Sequence, residues 1–214
     1  MIRRPPRSTL SSSSAASDVY KRQVLTLEAT AAVSIVALLG LTKALKELEN
    51  EAISLTSVAS ALFFIASFIH IPFGVVQIHL ILLGVIGIVL GWSSFVAIFV
   101  ALLLQALLLG YGGVVSIGVN LFIMATPSVM VYYLYRTDFM QRLNDKLKYF
   151  LVGFIGTFFA ALFLSLILYF SKEEYGYASF TIFFVNIVTM IVEGIVSMFL
   201  LLFLKKVHPT LLGE

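Results

Sequence analysis

From Val24 onward the sequence is a succession of apolar runs, each about 17–25 residues long, with charge, Gly and Pro gathered at most of the boundaries. That is the length a helix needs to cross the hydrocarbon core of a bilayer, whereas barrel strands would be shorter and would alternate apolar with polar positions. Composition points the same way. Of the 214 residues 60% are apolar and 12% charged, against about half and a quarter in a soluble domain. There is too little polar surface to coat a globule. The apolar surface must face lipid, where only helices and closed barrels satisfy their own backbone. The predicted fold class is therefore all-α, a polytopic membrane bundle of about seven transmembrane helices, with 24–214 as a single transmembrane domain.

The helices are expected at 24–42, 53–72, 78–91, 93–110, 116–135, 148–171 and 178–204, the third short enough to be a re-entrant or tilted element. Seven helices put Lys43, Lys46, Arg136, Arg142, Lys146, Lys148, Lys205 and Lys206 on one side and Lys172 on the other. By the positive-inside rule the N-terminus is then outside and the C-terminus cytoplasmic. The glycines of GVIGIVLG (Gly84, Gly87, Gly91), with Gly153 and Gly156, have the spacing that lets helix backbones approach closely in lipid.

Residues 1–23 are different. They hold Arg3, Arg4, Arg7, Lys21 and Arg22, are rich in Ser and Pro, and contain no apolar run, so they are no signal peptide. One reading is a disordered basic tail. The other is a non-native segment, since the stretch resembles translated sequencing-adapter read-through, in which case the native N-terminal sequence is missing. From Val24 onward the net charge is −1, so a nucleic-acid partner has no support.

There is no cysteine, which removes thiolate metal sites and cysteine nucleophiles. No Ser/His/Asp set, HExxH, paired intramembrane aspartates or phosphate-cradling loop is present, so nothing supports catalysis. The chemistry available is a small set of polar groups inside the apolar spans. His79 is either a helix-to-helix hydrogen bonder or a transition-metal ligand. Gln105, Ser116, Asn120 and Met124 flank a tight turn containing Gly112 and Gly113, and pair with one another or with a ligand's surroundings. Asn186, Thr189, Glu193 and Ser197 share one face of the last helix. Glu193, near the midplane, is either a packing residue or a functional carboxylate.

The block LLLQALLLGYGGVVSIGVNLFIM at 102–124, with IVEGIVSMFLLLFLKKVHPTLL at 191–212, resembles the substrate-specific membrane component of cobalt/nickel energy-coupling-factor transporters, the cobalt permease type of cobalamin biosynthesis. The resemblance implies a multi-pass protein of the prokaryotic cell membrane, not itself an enzyme. Co²⁺ or Ni²⁺ would be its substrate and it would hold no cofactor. Its partners would be a transmembrane coupling subunit and two cytoplasmic ATPases that hydrolyse the ATP. The resemblance leaves open whether a small accessory membrane subunit joins them. In such a family His79 matches a metal-binding histidine. Gln105, Ser116, Asn120 and Met124 would support the site, and the remaining nitrogens come from an N-terminal Met-His opening. Here HIPFG at 70–74 mimics that opening, but at the end of the second helix, so His70 is expected to be a bystander. Two rival readings are a vitamin-specific component of the same transporter class, with Tyr175 and Tyr177 as candidate pocket aromatics, and an intramembrane enzyme or assembly factor.

If the head has displaced a Met-His opening, replacing 1–23 by Met-His-Ile-x-Glu-Gly should tighten Ni²⁺ or Co²⁺ binding by at least about 10-fold, since even outer partners of a metal site are worth that much. Side-by-side metal titrations measure it. Equal affinity would mean that the head is native or that the site lies elsewhere.

Overall fold

The computed structural model describes residues 27–68, 70–73, 76–109, 113–171 and 176–213. Its long helices are α1 (Leu27–Glu47), α2 (Asn50–Ala66), α3 (Leu83–Leu90), α4 (Ser94–Leu104, continued by a π turn over Gln105–Leu109), α5 (Gly113–Tyr135), α7 (Asp145–Ser171) and α8 (Gly176–Val207). A single turn, α6 (Asp138–Gln141), joins α5 to α7, and a 3-10 turn, Pro209–Leu212, closes the chain. The seven expected helices are all there, and the protein is an all-α, multi-pass membrane bundle. The first helix runs on to Glu47, past its expected end at 42, and two other boundaries change in kind. Residues 70–72 of the second predicted helix and 78–79 of the third form a short antiparallel hairpin instead, β1 (His70–Phe73) and β2 (Val76–His79). The physical reason lies in Pro72, which has no amide to donate to a helix and is tolerated at a strand edge.

Four helical stretches are long and apolar enough to cross a bilayer, namely Leu83–Leu108, Ser116–Tyr135, Asp145–Phe170 and Ser179–Val207. The first is not one straight span. Gly91 sits at φ +55°, ψ −124°, followed by a 3-10 turn over Gly91–Ser93. Before the turn, Gly87 lies against Ser128 and Gly91 against Tyr132, so α3 descends along α5. After it, Trp92 meets Tyr133 while Ile98, Ala101 and Leu102 pack with Val119, Leu121 and Ile123, so α4 climbs back. Eight residues of α3 make a rod of about 12 Å. That is less than half of a roughly 30 Å hydrocarbon core, which makes α3 a half-helix.

The half-helix fits because it has almost no side-chain girth on one face. A Cβ at Gly84 would strike the Val152 carbonyl, and one at Gly87 the Ser128 carbonyl. Backbones of α5 and α7 therefore press directly on α3, as small-residue packing in lipid requires. The charges collect at one end of the bundle. Lys43 lies 3.8 Å over the Trp92 ring and Arg136 4.1 Å over Tyr132. Lys205 pairs with Asp145 at 3.0 Å, and the buried Lys148 reaches the same carboxylate at 3.3 Å. Lys43 and Arg136 are thereby brought close through the Trp92–Tyr133 contact, and Lys148 and Lys205 through Asp145.

Gly87→Leu should unseat α3 from α5 and cost about 1–3 kcal/mol, as overpacking does. Thermal unfolding in detergent should show a lowered Tm, and an unchanged Tm would mean that α3 does not pack as closely as described.

Candidate functional site

An amide that leaves helical pairing inside a bilayer must find another acceptor, because no water is at hand and an unsatisfied group costs several kcal/mol. The start of α3 poses this problem. The first amides of a helix have no intrahelical partner, and no side chain of its own segment caps α3. The preceding Leu82 adopts φ 57°, ψ 30°, the one non-glycine positive φ among the described residues. The acceptor comes from the last helix. Glu193 of α8, fully buried, takes the Leu82 amide at 3.2 Å (Oε1) and 3.1 Å (Oε2), and Oε1 also accepts from the Ile81 amide. Two carboxyl oxygens thus satisfy both amides that precede the helix, in place of water or a local cap.

His79 ends β2, two residues before this clamp, and β2 packs on α8. The hairpin register sets His79 opposite His70. The histidine expected to be a bystander is therefore the direct cross-strand partner of the candidate ligand.

The other polar residues fall into separate groups. Ser116, which is buried, and Asn120 line a narrow cleft between α5 and α7 with Leu164 and Ile167. Gln105 opens the π turn of α4, and its Nε2 is buried without a hydrogen-bond partner. Met124 packs against the core one turn further along α5 and accepts the Ser128 hydroxyl at 3.1 Å through its carbonyl. Gly113 is the first residue of α5, and Gly112 lies outside the described residues. Along α7 the cleft sits about 16 Å beyond Gly153, which touches the Glu193 carbonyl, so clamp and cleft are distinct places. On α8, Thr189 and Ser197 are buried beside Glu193, and the Ser197 hydroxyl presses on Gly153. Asn186 spends its amide on the Ile182 carbonyl at 2.8 Å, within its own helix. Tyr175 lies outside the described residues. Among the described residues no three His, Asp or Glu side chains converge on one point.

Sequence reasoning found Glu193 but not what it holds, because backbone amides leave no mark in a sequence. It also missed the hairpin and the burial of Lys148. The Pro72–Gly74 pair was the available signal for the first, and nothing local signals the second.

The family model described as the cobalt uptake substrate-specific transmembrane region, CbiM, matches residues 21–211. A Haemophilus influenzae protein described as a candidate metal transport protein is 34% identical over 185 residues, covering 85% of this chain and 90% of the relative. An Archaeoglobus fulgidus protein described as a candidate fused nickel transport protein, NikMN, is 34% identical over 113 residues, 51% of this chain and 38% of the relative. A crystal structure of a transition metal transporter superposes with TM-score 0.73 at 25% identity, over 86% of this chain and 91% of that one. A truncated transition metal transporter shares the fold at TM-score 0.71 and 24% identity, over 86% and 97%.

Proposed function

This chain belongs to the cobalt uptake substrate-specific transmembrane family and is a metal transport component of that type, and from that premise we propose that it is the substrate-binding membrane subunit of an energy-coupling-factor transporter for Co²⁺ or Ni²⁺. Such a subunit captures the ion, and a transmembrane coupling subunit with two cytoplasmic ATPases supplies the work of import. The chain has no phosphate-cradling Gly-Lys loop, in keeping with ATP hydrolysis on partners.

The observation that carries the reading is the broken helix. Irregular backbone inside a membrane is tolerated where protein buries it or where it lines a cavity. Discontinuous helices near the midplane are how many transporters build their substrate sites. Here the extended strand that leads into the half-helix ends on His79, and neutral imidazole is the commonest metal ligand in proteins. His79 is the direct ligand in this reading, while Gln105, Ser116 and Asn120 act from further out. An imidazole and nitrogen-rich set suits Ni²⁺ and, more weakly, Co²⁺. The charge distribution orients the bundle with the end carrying Lys43, Arg136 and Lys205 in the cytoplasm.

In a chain with a Met-His opening, His79→Ala should nearly abolish Ni²⁺ binding in calorimetry, and Asn120→Ala should weaken it about 10–100-fold. Normal binding by His79→Ala would sink the assignment, and binding of a vitamin instead of a metal would favour the rival component. For orientation, single cysteines at Gly112 and Asn144 are probed with an impermeant thiol reagent in intact cells. Labelling is expected at 112 and not at 144, and the reverse pattern would invert the topology.

A further inference from the structure

The clamp is built in a way that simple packing does not require. Glu193 is fully buried. Its two oxygens accept every hydrogen bond that the structure assigns them from the amides of Ile81 and Leu82, more than 110 residues earlier in the chain. A structural carboxylate could have been replaced by a local cap such as Ser or Asp at Leu82, the residue that precedes α3. Instead the position is a buried Leu in the left-handed region, a conformation that costs of order 1–3 kcal/mol and persists only where the surroundings enforce it. In this conformation the Leu82 amide meets the Glu193 carboxylate while the Leu82 side chain is buried in the core. Because the carboxylate grips the two residues that follow Leu80, it fixes where β2 ends and therefore where His79 stands.

We propose that Glu193 is a positioning residue for metal capture: from the middle of α8 it holds the backbone that follows β2, so that His79 is presented at a fixed place in the bundle. It does not touch the ion. It acts through the Ile81 and Leu82 amides. The same bond joins the candidate ligand strand to α8, whose far end is tied to α7 through Lys205 and Asp145. The metal part of this inference rests on the reading of His79 as a ligand. The holding of the strand does not.

The two parts are tested separately in the full chain. The sequence has no cysteine, so spin labels at introduced cysteines replacing Gln77 on β2 and Tyr133 on α5 report one distance without background. Pulsed electron resonance should give a narrow distribution in the parent. It should be broad in Glu193→Ala and intermediate in Glu193→Gln, which keeps one acceptor oxygen. Ni²⁺ titration of the same variants, unlabelled and with the Met-His opening, should show affinity falling about 10–100-fold in Glu193→Ala, the range for partners that orient a metal ligand, and by less in Glu193→Gln. A distribution that stays narrow in Glu193→Ala overturns the clamp. A broadened distribution with unchanged affinity overturns the positioning role. If Glu193→Ala does not fold, Glu193→Gln carries the same two readings. If the parent itself binds no Ni²⁺, the function reading has failed, and the distance measurement still decides whether Glu193 holds the strand.

Discussion

The bond between the Glu193 carboxylate and the amides of Ile81 and Leu82 is the contact on which the interior of this protein depends. Without it, the junction between β2 and α3 would bring the open amides of Ile81 and Leu82 into a region that has no water to satisfy them. A helix that ran unbroken through this level would need no such partner. The broken one needs an acceptor with two oxygens and a fixed position, and a long acidic side chain anchored on a neighbouring membrane helix provides both. Glu193 is therefore tolerated at the centre of an apolar helix, where an unpaired carboxylate would be expelled or neutralised.

Glycine makes the second condition possible. Eight residues of helix bury too little surface to stay in place by side-chain contacts alone, and α3 has neighbours on several sides. Gly84 and Gly87 let the α7 and α5 backbones come into contact with it, while Leu83, Val85, Ile86 and Ile88 fill the remaining directions and are all buried. Gly91 then supplies the positive φ at which the chain reverses, a conformation that side chains other than Gly rarely accept. The same three glycines were visible in the sequence as a packing motif. The packing is indeed what Gly84 and Gly87 do, and Gly91 is a hinge of the path.

The helical elements were legible because hydrocarbon thickness imposes a length on every span, and that length survives in the sequence as an apolar run. Charge was legible too: a simple odd count of helices puts eight basic residues on one side, and the contacts around Trp92, Tyr132 and Asp145 gather members of that set at one end. The hairpin was not legible. HIPF and VQIH are as apolar as the helices beside them, and only Pro72 distinguishes the stretch. At the candidate site, residue type alone singled out Glu193 and His79, since an ionisable group inside lipid calls for a reason; for Glu193 the partners are the Ile81 and Leu82 amides. Asn186 shares the periodicity of Glu193, and its amide donates to the Ile182 carbonyl of its own helix. Periodicity says which face a residue occupies, and not whether its hydrogen bonds are already used.

Helix α8 is held at two levels, and the consequence is mechanical. Near its end, Lys205 shares Asp145 with the buried Lys148, which fastens α8 to the start of α7. Twelve residues earlier, about 18 Å along the helix, Glu193 fastens it to the backbone between β2 and α3. A helix is stiff over that distance. A displacement of α8 at its basic end must therefore either travel to Glu193 and carry the β2 terminus with it, or break one of the two fastenings. The first is an ion pair and the second a buried pair of hydrogen bonds whose loss would leave polar groups unsatisfied, so neither yields cheaply. The route from the charged end of the bundle to His79 consists of one helix and one carboxylate, which is a short and testable chain of contacts for a transport component that must exchange a held ion for a released one.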